Sequence, residues 1–324
     1  MKKYIFKKDK FLVAGGYGMA GAAITKALED KGYNNILKPR RNELDFSDCN
    51  KTETWFKKNK PQVVIVAAAK VGGILANSDY PADFILNNLK IQTNIIESAW
   101  RNNSRRLIFL GSSCIYPKFS QQPIQEESLL TGELEVTNEY YAIAKIAGIK
   151  LCNALRIQYG FDAISLMPTN LYGHGDNYHE KNSHVMAALI RRFYMAKKLN
   201  LPSVTCWGTG KPRREFMHVD DLGNAVVFVL EKWNTPLNGN KINPNIFHLN
   251  VGTGKDISIK ELANLICKEI GYKGEIFWDE TKPDGTIRKL LDVSRIKNLG
   301  WSSSINLEDG IKKTIRELKF EDFK

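Results

Sequence analysis

The feature that most constrains the fold is a glycine-rich turn near the start of the chain, between an apolar segment and an amphipathic one. Phe11–Ala14 predicts a strand, Gly15-Gly16-Tyr17-Gly18-Met19-Ala20-Gly21 a tight turn, and Ala22–Lys31 a helix. Glycines in this context let the backbone approach a pyrophosphate at the helix N-terminus. A purely structural turn can carry the same glycines, so the neighbouring elements must decide between a pyrophosphate-binding turn and a structural one.

Those neighbours alternate between strands and helices. Further strands are predicted at Asn35–Lys38, Val63–Ala69, Leu107–Leu110 and Asp162–Met167, and long helices at Ala82–Asn102 and Asn138–Tyr159. The unbroken apolar run at Val63–Ala69 is typical of a buried parallel strand. The pattern predicts an α/β fold with a doubly wound parallel sheet of the Rossmann type, which binds ligands at the carboxyl ends of its strands.

The second strand indicates which dinucleotide would bind. NAD sites usually have an acidic residue about 20 positions after the glycines, to bind the ribose 2′-hydroxyl. Here the strand ends in Lys38-Pro39-Arg40-Arg41, which favours the 2′-phosphate of NADP(H), with Arg41 as the first candidate. Glu43 and Asp45 lie close enough to keep NAD as the alternative.

The helix predicted from Asn138 carries a candidate proton donor. Thr137 or Asn138 can cap it, Gly160 can end it, and Tyr141 and Lys145 share one face because they are four residues apart. A cation about 4 Å from the phenol would lower its pKa by roughly three units, toward the range useful for acid–base catalysis. The alternative is that Tyr141 packs and Lys145 is solvated.

The net charge of +12 raises the possibility of a nucleic-acid partner. The basic residues are spread along the chain and accompany no nucleic-acid-binding motif, so we expect a solvated lysine-rich surface or a polyanionic small-molecule substrate.

The longest apolar run is too short to cross a bilayer. The five scattered cysteines fit free thiols in a reducing cytoplasm.

Ser112 follows the predicted strand at Leu107–Leu110, and Tyr141 and Lys145 lie on the helix predicted from Asn138. At these places the three residues resemble the catalytic set of the extended short-chain dehydrogenase/reductase superfamily. Further motifs narrow the resemblance to the GDP-L-fucose synthase family, over nearly the whole chain. One departure is Tyr17, where that family usually carries an arginine near the ribose phosphate; this leaves Arg41 to carry the NADP(H) preference. The motifs are Ala67–Ile74, Gly111–Pro117, Tyr141–Gly148, Met167–Gly173, Asn182–His184, Arg213–Phe216 and Thr281–Gly285.

The resemblance implies NADPH-dependent 3,5-epimerisation and 4-reduction of GDP-4-keto-6-deoxy-D-mannose to GDP-L-fucose. It implies that Cys114 and His184 exchange protons at C3 and C5, which a thiol and an imidazole can do next to a ketone. Tyr141 and Ser112 would hold the C4 oxygen, and Lys145 would lower the pKa of Tyr141 and bind the nicotinamide ribose. Taken alone, a lone cysteine is more often a small buried hydrophobe, and a lone histidine is usually just hydrogen-bonded.

The remaining implied contacts fall into two groups. Nucleotide-sugar contacts are implied for Arg192, Trp207, Arg214 and Asp284, although each arginine taken singly is more often solvated. The predicted cofactor-binding residues are Gly15, Gly16, Tyr17, Gly18, Met19, Ala20, Gly21, Arg41, Leu110, Gly111, Lys145, Pro168, Asn170, Leu171 and His184.

The second half of the chain leaves the simple alternation. A helix is predicted at Val185–Leu199, a strand and turn at Val204–Gly208, strands at Ile246–Val251 and Glu275–Trp278, and the start of a helix at Phe216–Asp220. We predict an NADP-binding domain at 1–175 plus about 215–250, and a substrate-binding lobe at 176–214 plus 251–324. The helices at 82–102 and 138–159 could form a homodimer interface, as in related enzymes.

Three alternatives remain open at this stage. A 4-epimerase or 4,6-dehydratase could share the fold, but the former would hold NAD and the latter needs an acidic residue where Ser113-Cys114 stands. A catalytically idle NADP-binding protein would bind NADPH without oxidising it. An RNA-binding protein would show a steep salt dependence.

Overall fold

The protein is organised around one parallel sheet. A computed structural model describes residues 4–180, 182–233, 248–282 and 284–318, and in them six parallel strands follow the order β2-β1-β3-β4-β5-β9. The predicted doubly wound α/β fold is confirmed, with the topological switch between β1 and β3. The strands are β1 (Phe11–Ala14), β2 (Ile36–Leu37), β3 (Val63–Val66), β4 (Arg106–Leu110), β5 (Ala163–Pro168), β6 (Asn170–Tyr172), β7 (Ser203–Trp207), β8 (Arg213–His218), β9 (His248–Val251), β10 (Asp256–Ser258), β11 (Glu275–Asp279) and β12 (Arg288–Lys289).

Helices flank this sheet. Every residue of β1, β3, β4 and β5 is buried, as expected of strands covered on both faces. Helix α1 packs against α7, and α4 packs against α5. The helices are α1 (Met19–Asp30), α2 (Cys49–Asn59), α3 (Ile74–Asp79), α4 (Pro81–Arg101), α5 (Glu139–Tyr159), α6 (Val185–Lys198), α7 (Val219–Lys232), α8 (Ile259–Ile270), α9 (Ser294–Asn298) and α10 (Leu307–Glu317).

A second hydrophobic core lies among α6, α8 and α10. Strand β8 borders it and pairs with three segments that are distant in sequence, namely β6, β10 and β12. The fully buried Glu215 of β8 ties these segments together, because its carboxylate accepts hydrogen bonds from the backbone N–H groups of Thr253, Gly254 and Leu291.

The structure corrects four details of the sequence-based expectations. Phe216–Asp220 does not begin a helix: β8 continues to His218, and α7 begins at Val219. Helix α1 begins at Met19 inside the glycine turn, three residues before Ala22. The strand predicted to Ala69 ends at Val66, where the chain turns toward α3. Asn138 precedes α5 but makes no capping hydrogen bond with its side chain, since a short 3₁₀ turn occupies Val136–Asn138.

Other predicted helix and strand bounds agree with the structure or fall outside the described residues. Helices α4, α5 and α6 match their predicted bounds within one residue, and Gly160 ends α5 in the left-handed conformation. The strand expected at Ile246–Val251 is described from His248, and its first two residues lie outside the described ranges.

The proposed division into two domains stays a prediction. Four residues that it assigns to the smaller lobe pack in the other core. Leu291, Val293, Ile296 and Trp301 belong to the larger core around the parallel sheet, although the sequence assigned 251–324 to the smaller lobe. The reason is a long-range contact: Leu291 forms a β-bridge with Ile124. In the described part of the chain, no helix is both long and apolar enough to span a membrane.

Candidate active site

The turn after β1 forms a cradle of backbone atoms. Gly15 has a φ of 82°, and a Cβ at this position would lie 2.7 Å from the backbone nitrogen of Ala68. Helix α1 begins at Met19, and its N-cap, Gly18, makes no side-chain hydrogen bond. The first N–H groups of α1 are therefore left for a ligand, as a bound pyrophosphate requires. The cradle fits the pyrophosphate of a dinucleotide.

A cationic group lies beside this cradle. The guanidinium of Arg40 stacks on the ring of Tyr17, 4.0 Å from its centroid, and the ammonium of Lys38 lies 5.5 Å from the same ring. Tyr17 is half exposed. This arrangement gives the adenosine end of the cradle a positive charge of the kind that a 2′-phosphate needs.

The neighbouring acidic residues are engaged within their own loop. Glu43 accepts a hydrogen bond from the backbone N–H of Arg40 at 2.7 Å. Asp45 accepts hydrogen bonds from the backbone and hydroxyl of Ser47 and pairs with Arg41 at 3.5 Å. The carboxylates that would suit an NAD ribose are thus already partnered. Arg41, the first candidate from sequence, points its side chain largely into solvent.

Four of the predicted catalytic side chains meet at the end of β4. The hydroxyl of Ser112 accepts a hydrogen bond from the backbone N–H of Cys114, at the start of a 3₁₀ turn. The buried ammonium of Lys145 donates to the carbonyl oxygen of Leu110 at 2.8 Å and lies 5.8 Å from the ring centroid of Tyr141. Electrostatic interaction couples Cys114 to both Tyr141 and Lys145. The structure therefore brings a hydroxyl, a thiol, a phenol and an ammonium together.

The expected effect of Lys145 on Tyr141 is not seen. Burial raises the pKa of the Tyr141 phenol instead of lowering it, and burial lowers the pKa of Lys145 to about 8. The reason is that the ammonium is directed at Leu110, while the phenol packs edge-on against Phe84 with ring centroids 6.3 Å apart. The protein alone therefore keeps Tyr141 protonated, as a proton donor must be.

His184 lies on a different element from the other four. It is the N-cap of α6, and the preceding residues contact the loop after β3, where the N–H of Gly73 donates to the carbonyl of Asn182 at 3.1 Å. His184 is exposed as a whole residue, yet desolvation of its imidazole by the surrounding protein lowers its pKa. The fold thus holds the segment just before His184 against the loop that follows β3.

The remaining predicted cofactor residues lie at the ends of β4 and β5. A Cβ at Gly111 would lie 2.4 Å from the Sδ and Cε atoms of Met167, so a larger residue there requires the end of that side chain to shift. Pro168 ends β5, and Leu171 packs partly against the larger core. The amide of Asn170 donates to the backbone carbonyl of Glu215 at 2.8 Å, which adds a side-chain bond to the pairing of β6 with β8.

The candidate substrate contacts gather in the smaller lobe. Asp284 accepts hydrogen bonds from the backbone and hydroxyl of Thr209 at 2.9 and 2.6 Å. Trp207 is half exposed at the end of β7, and the guanidinium of Arg192 donates to the carbonyl of Thr205 in the same strand. Burial lowers the pKa of Arg214, whose charge interacts with Asp284. An exposed indole, two guanidiniums and a carboxylate could contact a nucleoside diphosphate.

Sequence reasoning missed the parts played by Arg40 and Lys289. Arg40 was visible in the basic run after β2, but only the fold shows that it stacks on Tyr17. Lys289 lies beside Arg214 in the pairing of β12 with β8, and its charge interacts with Cys114. Because this pairing joins positions that are distant in sequence, no local pattern pointed to Lys289.

Comparison with known proteins covers nearly the whole chain. Residues 11–246 match the model of the NAD dependent epimerase/dehydratase family. The chain is 52% identical to GDP-L-fucose synthase 1 of Arabidopsis thaliana over 95% of this chain and 92% of that protein. It is 51% identical to GDP-L-fucose synthase of Escherichia coli (strain K12) over 95% of each chain.

A solved structure shows the same architecture. The crystal structure of a GDP-D-glycero-L-gluco-heptose synthase from Campylobacter jejuni, determined in the presence of NADPH, superposes with a TM-score of 0.90. It is 35% identical and covers 96% of this chain and 98% of its own. The similarity therefore extends over the parallel sheet and the smaller lobe alike.

Proposed function

The chain belongs to the NAD dependent epimerase/dehydratase family and, within it, to the GDP-L-fucose synthases, and from this we propose how its residues carry out the reaction. It is an NADPH-dependent epimerase and reductase that converts GDP-4-keto-6-deoxy-D-mannose to GDP-L-fucose. The observation that carries the mechanism is the convergence of Ser112, Cys114, Tyr141 and Lys145 at the end of β4, on the carboxyl edge of the sheet that also bears the glycine cradle.

We propose that the backbone cradle from Gly15 to Gly21 holds the pyrophosphate of NADP(H). Arg40 and Arg41 bind the 2′-phosphate, and Lys145 hydrogen-bonds the nicotinamide ribose. Support comes from the uncapped start of α1 and from the cations beside Tyr17. When bound, the nicotinamide supplies a hydride for C4 of the sugar.

Epimerisation needs a base and an acid on opposite faces of the sugar. In our assignment the thiolate of Cys114 removes a proton from the carbon next to the ketone, and the imidazole of His184 returns one to the other face. Tyr141 and Ser112 donate hydrogen bonds to the C4 oxygen, which stabilises the enolate. Two such exchanges invert C3 and C5.

Reduction uses the same phenol in a second role. As C4 accepts the hydride, Tyr141 transfers its proton to the C4 oxygen. The raised pKa of Tyr141 keeps the phenol protonated until negative charge develops on that oxygen. Lys145 then stabilises the phenolate by its positive charge, since its pKa of about 8 leaves it mostly protonated at pH 7.

We assign the GDP moiety to the smaller lobe. Arg192 and Arg214 bind the diphosphate, Trp207 packs on a flat or apolar part of the ligand, and Asp284 accepts hydrogen bonds from guanine or sugar hydroxyls. Support comes from the position of all four on or next to β7 and β8.

We also propose a cytoplasmic homodimer. Helices α4 and α5 pack together, and their outer faces expose Leu86, Ile143 and Ile157. Apolar side chains on a paired helical face favour a four-helix interface with a second copy. The free cysteines suit a reducing compartment.

The test is to incubate the purified chain with NADPH and GDP-4-keto-6-deoxy-D-mannose in deuterated water. We expect the nicotinamide absorbance to fall and deuterium to enter C3 and C5. In Cys114→Ser the deuterium should be lost, while NADPH still binds. Tight NADPH binding without oxidation would support the catalytically idle alternative. Oxidation without deuterium at C3 and C5 would indicate a simple 4-reductase.

A further inference from the structure

Strand β12 places two basic side chains on opposite faces. Successive residues of a strand alternate in direction, and the guanidinium of Arg288 pairs with Asp256 at 2.5 Å on one face. The register partner of Arg288, Arg213, pairs with the same carboxylate at 2.9 Å. Lys289 therefore points to the other face, together with its own register partner Arg214.

The backbone around Lys289 is held from two sides. The N–H of Leu290 donates to the side-chain oxygen of Gln122, and the carbonyl of Leu290 accepts from the N–H of Ile124, both at 2.8 Å. The next residue, Leu291, donates to the buried carboxylate of Glu215 at 2.9 Å. Because these bonds fix the strand, the stem of Lys289 has a defined direction.

The ammonium of Lys289 lies within electrostatic reach of the Cys114 thiol. The charged groups that act on Lys289 are Cys114, Arg214 and Glu135. Glu135 is already engaged, since it accepts a hydrogen bond from Thr286 at 2.9 Å and pairs with Lys118 at 3.4 Å. Within the described ranges, no hydrogen bond or ion pair occupies the ammonium of Lys289.

The groups around Cys114 shift the pKa of its thiol in opposite directions. Burial raises the pKa of its thiol, while the positive charges of Lys289 and Lys145 and the hydroxyl of Ser112 lower it. Lys289 has the largest of these lowering effects. Lys145 is committed to the carbonyl of Leu110, whereas Lys289 is half-buried on the face that carries Arg214.

We propose that Lys289 is a positioning residue for epimerisation, whose ammonium stabilises the thiolate of Cys114. The inference rests on the proposed role of Cys114 as the base. In the step it assists, the C–H bond next to the ketone breaks, its electron pair forms the enolate, and the proton forms an S–H bond on Cys114. Lys289 exchanges no proton. Its charge raises the fraction of protein molecules in which Cys114 is a thiolate when the step begins.

The test compares Lys289→Met, Lys289→Arg and, as a matched control, the exposed Lys255→Met. The rate of Cys114 alkylation by iodoacetamide is followed against pH by mass spectrometry of the Cys114 peptide. We expect Lys289→Met to slow alkylation at pH 7.5 by about tenfold or more and to shift the profile to higher pH. Lys289→Arg should restore most of the rate, and Lys255→Met should match the wild type.

The second measurement is deuterium entry at C3 and C5 of the keto sugar. We expect Lys289→Met to slow it by about tenfold or more with NADPH affinity unchanged, in line with the lower thiolate fraction. An unaltered alkylation profile in Lys289→Met would overturn the inference, and so would unaltered deuterium entry. If the wild type fails to turn over the sugar although alkylation responds to Lys289, the proposed function fails and the thiolate interaction stands.

Discussion

Lys145 and Leu110 are joined by a hydrogen bond of 2.8 Å, in which the buried ammonium donates to the carbonyl oxygen at the end of β4. This bond anchors α5 to the sheet at the level of the candidate active site. It also fixes the distance between the ammonium and Tyr141, one helical turn away. The position of the phenol thus follows from the packing of α5 and not from a direct bond to Lys145.

Tyr141→Phe should abolish reduction while it preserves the fold. Phenylalanine keeps the edge-on contact with Phe84 but has no proton to give to the C4 oxygen. We expect the turnover number to fall by about 10²–10⁴-fold, with the dissociation constant for NADPH nearly unchanged. Stopped-flow absorbance and a fluorescence titration of NADPH would measure the two quantities. Wild-type turnover in this variant would contradict the assignment of Tyr141 as the proton donor.

Lys145 should give the stability a specific pH dependence. Its pKa is about 8 in the folded protein and near 10.5 when unfolded, so the unfolded chain binds more protons between these values. The free energy of unfolding of the wild type, relative to Lys145→Met, should therefore rise with pH over this window, by on the order of 2 kcal/mol. Below pH 8 the difference should be flat.

Urea denaturation of both proteins between pH 7 and 10 would measure this difference. The exposed Lys150 of the same helix provides the control, because Lys150→Met removes a charge that is in water in both states. A wild-type-minus-Lys145→Met difference that stays constant with pH would show that the ammonium is not desolvated in the folded protein.

His184→Asn should separate proton removal from proton return. The pKa of His184 is lowered and burial raises that of Cys114, so in the wild type the imidazolium gained as the pH falls is offset by the thiolate lost. We expect the variant to lose epimerisation by about 10²-fold, and its residual rate to decline with the thiolate as the pH falls, whereas the wild-type rate stays nearly flat. The product should be followed by NMR across pH 5.5–8.0. An unchanged pH profile in the variant would exclude His184 as the acid.

Much of the fold and part of the site could be predicted from sequence. The strands of the parallel sheet are short apolar runs, and ligand-binding residues follow such strands, which predicted Ser112 and Cys114 at the end of β4. The family resemblance, not the pattern, joined Tyr141 and Lys145 of α5 to them. Strand β8 was mistaken for the start of a helix because its pairing partners lie at 170–172, 256–258 and 288–289. The environment of Lys289 depends on that same pairing.

The electrostatics of Tyr141 could not be predicted from spacing alone. The i,i+4 relation correctly places Lys145 near the phenol, but it does not reveal where the ammonium points. The ammonium of Lys145 donates to the carbonyl of Leu110 and lies 4.8 Å from the ring centroid of Phe109. Burial of the phenol then outweighs the cation, which only packing could show.

Arg40 should control the preference for NADPH over NADH more strongly than Arg41. Arg40 is stacked on Tyr17 beside the cradle, whereas Arg41 already pairs with Asp45 and is largely solvated. We expect Arg40→Met to weaken NADPH binding by about tenfold, or about 1.4 kcal/mol, and to leave NADH binding unchanged. Arg41→Met serves as the matched comparison and should weaken NADPH binding less. A larger effect at Arg41 would show that it carries the 2′-phosphate, as the sequence first indicated.

Arg106 should be critical for stability, because its buried guanidinium has several close partners. It pairs with Asp162 at 2.7 Å and donates to the carbonyls of Leu230 at 2.6 Å and Trp233 at 2.5 Å, at the C-terminal end of α7. Arg106→Ala leaves the partly buried carboxylate of Asp162 short of one cation and the last carbonyls of α7 without this donor, although Arg156 still contacts Asp162. We expect a loss of about 3–5 kcal/mol in the free energy of unfolding.

The matched control for Arg106 is Arg101→Ala, which breaks an exposed i,i+4 pair with Glu97. Such surface pairs contribute about 0.3–0.5 kcal/mol, so this variant should unfold at nearly the wild-type urea concentration. Urea denaturation followed by circular dichroism would compare the two. Because Arg106 joins β4 to the end of α7, the destabilisation should appear as one cooperative transition at lower urea. Equal midpoints for Arg106→Ala and Arg101→Ala would mean that the buried guanidinium contributes no more than a solvated one.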